Sequence, residues 1–543
     1  MNTAFTFWDY GIFAIYAIAL IGVGFWVSRG KKGQEKSAED YFLASKSLPW
    51  WAIGASLIAA NISAEQFIGT AGSGFAGGMA IAAYEFMAAI TLVIVGKFFL
   101  PIFIKQGIYT IPEFVEKRFS SNLKTILAVF WICLFVFVNL TTVLFLGGTA
   151  LDTVLGSGDG SMTLYCMIGL AAVAAAYSLY GGLSAVAWTD VMQVALLIVG
   201  GIITTLIALY YVTPDHSIIG GMQYITERAS THFDMILTPD NPQYMNMPGI
   251  YMLVGGIWVA NLYYWGFNQY IIQRTLAAKS LAESQRGIIF AAFLKMLIPF
   301  IVVVPGIIAY VMYQDQLFGA VETFEIAGGG LSNDSAYPWL IKTFVPTGLK
   351  GLVVAALAAA IVSSLASMLN STSTIFTMDI YKPYMNPNAS QTTLVNIGRL
   401  TAGIALVIAL ILAPMLGGID QVFQYIQEYT GLVSPGILGV FLMGLFWKKA
   451  NNKGAIWGVL ASIPIALFFK FCPGIVMPFI DQMFYTTILT VVVIFMVSLS
   501  TNKGVDDSKA IKLTHDMFAT DKIFNIGAYV ICILLAVIYA IFW

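Results

Sequence analysis

The sequence predicts an all-α polytopic membrane protein of about fourteen transmembrane helices, and three observations lead there. Of the 543 residues, 59% are hydrophobic and only 10% charged, whereas soluble domains carry roughly 25% charged residues. Mean hydropathy is +0.83. Apolar runs long enough to cross a bilayer, about 20 residues each, recur along the whole chain. The basic residues also take sides. If the loop after the first run is cytoplasmic, then of 27 Lys and Arg only Arg228, Lys342, Lys350 and Lys470 fall on the opposite face, and Lys295 falls inside a run. Every other one lies in a cytoplasmic loop or its flank, as the positive-inside rule requires. Both termini then face outward, extracellular or periplasmic.

The first span, 8–28, follows a start with no basic n-region and no small-residue cleavage site, so it reads as a membrane helix rather than a signal peptide. The others fall at 48–73, 78–104, 124–151, 162–180, 187–212, 248–272, 286–313, 348–379, 394–415, 420–446, 454–470, 474–499 and 523–543. The longest outer loops follow the sixth and eighth spans. No low-complexity tract and no soluble catalytic or regulatory domain is visible.

Several classes are excluded or weakened at this level. A net charge of −1 gives no footing for nucleic acid. Cys133, Cys166, Cys472 and Cys532 have neither metal spacing nor a disulfide pattern. The histidines, His216, His232 and His515, all lie in loops, and no nucleophile–base pair is evident, so an enzyme is not expected. The bilayer is the one obligatory partner, and no obligate protein partner is indicated.

Polar residues within spans are costly and mark interiors or water-filled paths. The second span carries Asn61, Ser63, Glu65 and Gln66 in "IAANISAEQFIGTAGSG", and the third carries Tyr84 and Glu85. The seventh holds Asn261, Tyr263, Tyr264, Trp265, Asn268 and Gln269, and the eighth Lys295. The ninth holds Ser363, Ser364, Ser367, Asn370 and Ser371, and the eleventh Gln424, Gln427 and Glu428. A lone Ser more often bonds its own preceding turn than a ligand. Buried Glu85 and Lys295 resist that bland reading, because each charge costs several kcal/mol unless paired or hydrated.

Spans two and seven are an odd number apart, so they cross in opposite directions. Spans two to six and seven to eleven therefore suit two five-helix halves of inverted topology, whose matching broken helices point to a transporter site. Breaks are expected at Asn61–Ile62–Ser63 and at Ala260–Asn261–Leu262. Carbonyls bared by such a break, with the Ser363 and Ser364 hydroxyls, suit a hard monovalent cation. The amides of Gln66, Asn261 and Gln427, with Glu85, Lys295 and the aromatics Tyr84, Tyr264, Trp265 and Phe423, suit a neutral polyol such as a pyranose. A zwitterion that used Glu85 and Lys295 stays open.

The stretches "AANISAEQF", "IYTIPEFVEKRF", "YSLYGGLSAV", "WVANLYYWGFNQYIIQRTLAAKS", "AALAAAIVSSLASMLNST" and "FQYIQEYTGLVSPGIL" together resemble the solute:sodium symporter family over nearly the whole chain. The resemblance implies an inverted five-helix repeat core of the leucine-transporter type, with broken helices at 48–73 and 248–272. It divides the chain into an N-terminal extra helix and cytoplasmic loop (1–47), a first repeat (48–213), an extracellular loop (214–247), a second repeat (248–446) and three C-terminal helices (447–543). It implies sodium-coupled import of a hexose, galactose or glucose, across a bacterial inner membrane.

By the same resemblance, Gln66, Glu85, Asn261, Lys295 and Gln427 hydrogen-bond the sugar. Tyr264 stacks on it as inner gate, held by Asn61, and Tyr84 and Phe423 close the outer side with Thr70. Sodium is ligated by the carbonyls of Ala59, Ile62 and Ala360 and the hydroxyls of Ser363 and Ser364, and Asp190 lies on its exit route. Two positions depart from the family pattern, Ala88 where a sugar-contacting serine is expected and Thr70 where the outer gate has a methionine. Both bear on which epimer is preferred. Competing readings are the same scaffold for sialic acid, proline or inositol, a passive channel, and a nutrient sensor, which the lack of an output domain disfavours.

Overall fold

The computed structural model describes residues 5–28, 37–156, 160–326, 330–417 and 422–543. Arg29, Lys31, Lys32 and Lys36 of the first loop, and the first two residues of the run at 420–446, lie outside the described residues. Helices dominate. The only sheet among the described residues pairs Glu325–Ile326 with Gly330–Leu331 in the loop after the eighth span.

Eleven helices among the described residues are each long and apolar enough to cross a membrane, and the bent pair Val422–Gly431 and Ser434–Phe446, at 49°, makes twelve. The expected count of fourteen is not confirmed, and interruption is the physical reason. The runs at 48–73 and 248–272 are built from short helices, none of which spans alone. Helical structure also runs from Glu65 through Gln106 for 42 residues, which as a straight rod would be about 63 Å, twice a hydrocarbon core of about 30 Å. Gly78, at φ 71 and ψ −148, divides it.

The second span stops where the sequence placed its break. A helix at Trp50–Asn61 ends at Ile62, whose φ −82 and ψ 104 are extended. A widened turn then restarts at Glu65–Thr70 and continues to Gly77. The seventh span corrects the expectation. Ala260, Asn261 and Leu262 sit inside the helix Gly256–Phe267, and the interruptions are at Gly255 (φ −114, ψ −105) and Asn268 (φ −79, ψ 124). Asn261 is accommodated because its Nδ2 donates to Ile257 O, one turn back, at 3.2 Å. Gly256 is forced by packing, since a Cβ there would sit 1.9 Å from Ile480 O.

Burial sorts core from periphery. The most apolar window of Leu349–Met385 is 94% buried, against 17% for Phe7–Val27 and 22% for Lys522–Ile541. The helix bearing Ser363 and Ser364 is thus central, and the first and last helices face lipid. Sharp reversals are glycine-dependent. Thr163–Gly181 and Leu183–Tyr211 are joined by Gly182 alone (φ 67), where a Cβ would meet Tyr41 O at 2.3 Å.

Basic residues counted as loop charges include three that the fold buries, Arg118, Lys124 and Arg274. Arg118 donates to Gly444 O at 2.8 Å and Ala450 O at 2.8 Å, and Arg274 is fully enclosed.

The end of the second span is clamped from the long loop at 213–247. The His232 ring stacks on Tyr310 at 3.8 Å, and its Nε2 lies 3.3 Å from Phe75 O. A Cβ on Gly78 would be 2.1 Å from His232 O, so Gly78→Ala is expected to destabilise the protein by roughly 1–3 kcal/mol. Burial pushes the His232 pKa below the ordinary histidine range, partly offset by the Phe75 carbonyl. A depressed pKa means the unfolded chain takes up the proton first, so this contribution is complete above about pH 6.5 and is lost as pH falls below it. Thermal unfolding from pH 5 to 8 should show a decline on the acid side that is smaller in His232→Gln.

Candidate functional site

In a continuous helix the Ser63 amide would return to Ala59 O and the Gln66 amide to Ile62 O. Neither does. Ser63 N–H donates to Gln66 Oε1 at 2.9 Å, Glu65 N–H to Ser63 Oγ at 3.0 Å, and Gln66 N–H to Ser63 O at 3.2 Å. A helix can be interrupted at membrane depth only where protein re-satisfies its main-chain groups, and here Ser63 and Gln66 do so locally. The Ala59 and Ile62 carbonyls are thereby released from their helical donors.

The ninth span meets this break. Ser364 Oγ donates to Ala60 O at 3.1 Å, and Ser363 Oγ donates to Asp190 Oδ1 at 2.6 Å. Ala360 is buried one turn before Ser364 on the same helix. The five expected ligand positions thus lie on two segments in direct contact, and every donor they offer is an oxygen. No group of three or more His, Cys, Asp or Glu suited to a metal exists among the described residues. Such a set suits a hard monovalent cation.

Asp190 is fully buried and ion-paired with Arg274 at 3.2 Å. Its Oδ2 also accepts from Ser56 Oγ at 2.5 Å. Arg274 reaches further, to Ser56 O at 3.1 Å, to Tyr270 O and to Ser367 Oγ. This network knits spans two, six, seven and nine together directly beside the serines.

A polar cavity lies next to the break. Asn61, Gln66, Tyr84, Glu85, Ala88, Asn261, Tyr264, Trp265, Lys295, Phe423 and Gln427 all line it. Glu85 and Lys295 form a buried ion pair, and Lys295 Nζ sits 5.2 Å from the Trp265 ring centre. Tyr84 and Phe423 meet edge to face at 5.4 Å. The Tyr264 hydroxyl receives Asn61 Nδ2 at 3.0 Å and Tyr270 OH at 2.7 Å. Thr70 is the exception among the expected gate residues. It is buried, its hydroxyl points back to Glu65 O at 3.4 Å, and it does not line the cavity.

Sequence reasoning assigned no role to Glu65, Asn139, Tyr263, Asn268 and Ser434, which also line the cavity. Asn139 had a legible signal, a lone amide in the apolar run "FVFVNLTTV". Buried oxygens of Asn61, Glu65, Asn139, Asn268 and Ser434, with the Tyr84 and Tyr263 hydroxyls, have no protein hydrogen-bond partner.

A central polar cavity beside a broken helix, enclosed by aromatics and membrane helices, defines a gated solute transporter. Residues 41–462 match the sodium:solute symporter family, and the chain belongs to that family. It is a sodium-coupled symporter, not an enzyme. A sodium/glucose cotransporter of Vibrio parahaemolyticus is 63% identical over 99% of this chain and 98% of its own length. The human sodium/myo-inositol cotransporter 2 is 34% identical over 84% of this chain and 69% of its own. The solved structure of a sodium-coupled sialic acid symporter, in a substrate-bound outward-open state, superposes with a TM-score of 0.78 at 24% identity, covering 91% of this chain and 98% of that one. A nucleobase-cation-symport-1 family transporter in a closed conformation gives 0.52 at 15% identity, covering 86% and 96%. These two establish the shared fold.

Breaking a buried ion pair by removing one partner typically costs about 3–5 kcal/mol. Asp190→Asn and Arg274→Met should each lower the unfolding temperature of the purified protein clearly, and the double variant should be less destabilised than the sum of the two. Strict additivity would show that the pair contributes no coupling.

Proposed function

We propose that this chain imports a neutral hexose, galactose or glucose, together with sodium by alternating access. The observation that carries this reading is the row of partnerless buried acceptors, Asn61 Oδ1, Glu65 Oε1, Asn139 Oδ1 and Asn268 Oδ1, in one cavity with aromatic rings. Orphaned acceptors call for a ligand rich in hydroxyl donors, and the rings of Trp265, Tyr264 and Phe423 call for apolar C–H faces. A pyranose has both. The name of the Vibrio relative supports a hexose.

In this reading Gln66, Glu85, Asn261, Lys295 and Gln427 hydrogen-bond the sugar. Tyr264, steadied by Asn61, closes the cytoplasmic side, and Tyr84 and Phe423 close the outer side. Thr70 supports this outer closure only from behind, through the widened turn. Sodium sits between the carbonyls of Ala59, Ile62 and Ala360 and the hydroxyls of Ser363 and Ser364, and leaves past Asp190. By tying the second span to the ninth, sodium favours the state that binds sugar, and by linkage sugar tightens sodium by the same factor. The membrane is a bacterial cytoplasmic membrane with both chain ends outside, a placement the basic-residue asymmetry supports. Ala88 offers a methyl where a hydroxyl would add one hydrogen bond, worth about 1 kcal/mol, so affinity for the epimer that needs it is reduced.

Proteoliposomes should accumulate labelled galactose or glucose only with an inward sodium gradient. Competition by myo-inositol, sialic acid and proline should be weaker than by either hexose, and stronger competition by one of them would reassign the substrate. Ser364→Ala should raise the sodium concentration needed for half-maximal uptake severalfold. An unchanged value removes Ser364 from the cation site. Tyr264→Ala should shorten sugar retention, and unaltered dissociation would exclude it as a gate.

A further inference from the structure

Three acidic or basic side chains line the cavity, Glu65, Glu85 and Lys295. Lys295 is committed to Glu85 in a direct ion pair. Glu65 has no such partner. Its Oε1 is buried and accepts no hydrogen bond, and among the described residues no Lys or Arg lies within ion-pair distance of its carboxylate. Its main chain is held where the second span restarts, the Glu65 amide donating to Ser63 Oγ at 3.0 Å. The neighbouring orphan atoms of Asn61, Asn139 and Asn268 are also carbonyl oxygens. The ligand-facing surface is therefore rich in acceptors, and its one ammonium is already neutralised.

We propose that Glu65, which gains a partner for its ionised form only when a cationic ligand arrives, sets which substrate charge the cavity accepts: protonated amino sugars are accepted alongside neutral hexoses, and sugar acids are rejected. This rests on the hexose reading above. An ammonium on the sugar supplies three donors and the missing positive charge, so it pairs with Glu65 where a hydroxyl would make one hydrogen bond. A uronate would set its carboxylate against the Glu65 carboxyl, and the one ammonium lining the cavity, Lys295, is held by Glu85. A buried charge without a partner is strongly disfavoured, so discrimination between the two ligand charges should be large.

The test is calorimetric binding to the purified full chain at pH 7 and saturating sodium. The probes are D-galactose, amino-deoxy-galactoses with the ammonium at different carbons, and D-galacturonate, each with wild type, Glu65→Gln and Glu65→Asp. In wild type, at least one amino sugar should bind within about tenfold of galactose or tighter, and galacturonate at least about a hundredfold weaker. Glu65→Gln should weaken the amino sugar relative to galactose by about tenfold or more, and Glu65→Asp should largely preserve the ratio. The wild-type comparison alone decides the matter should the glutamine variant fail to fold. Amino sugars binding no better than galacturonate, or a ratio unchanged in Glu65→Gln, overturns the proposal. If Glu65→Gln alters only the sodium dependence of galactose binding, the carboxylate serves a cation and the proposal falls. If galactose does not bind but amino sugars still exceed galacturonate, the charge selectivity stands and the hexose reading fails.

Discussion

The structure depends on one constraint, that main-chain amides and carbonyls have no water to turn to inside a bilayer. At Asn61–Ser63 the second span stops making helical bonds, and the loss is repaired within four residues by Ser63 and the Gln66 side chain. The repair also gives the break its chemical character. The amides are turned inward on Ser63 and Gln66, so what remains turned outward is carbonyl oxygen, met by the Ser364 hydroxyl of the most deeply buried helix. A continuous helix would present neither feature.

Two ion pairs surround this break and differ in kind. Asp190 and Arg274 are sealed among Ser56, Ser363 and Ser367, with both carboxylate oxygens engaged. Glu85 and Lys295 instead border the cavity, with Trp265 beneath the ammonium. Desolvating a charge is costly unless its partner and remaining donors are in place. The first pair meets that condition by itself. The second leaves unfilled acceptors around it, and these are the atoms a ligand would complete.

Much of this was legible in the sequence because hydropathy and polarity act locally. The spans, the break at Asn61–Ile62–Ser63 and the polar cavity residues on spans two, three, seven, eight and eleven follow from where costly side chains interrupt apolar runs. What was not legible depended on partners far along the chain. Asn261 marks no break because Ile257 O can absorb its amide, whereas Asn268 does. Arg274 resembled a loop charge until Asp190, from another span, drew it inward. Thr70 looked like a gate by position, but the widened turn at Glu65–Thr70 rotates it away from the cavity. Glu65 and Asn139 were visible as polar residues, yet nothing in the sequence said that neither would find a protein partner.

Asn61 is the last helical residue before the gap in one half of the molecule, and Tyr270 follows the gap in the other, with the Tyr264 phenol bonded to both. A single oxygen thus acts as the clasp between the two discontinuities. Turning that one ring would break both hydrogen bonds in the same motion, while the Arg274–Ser56 contacts deeper in the molecule would go on holding the two spans together.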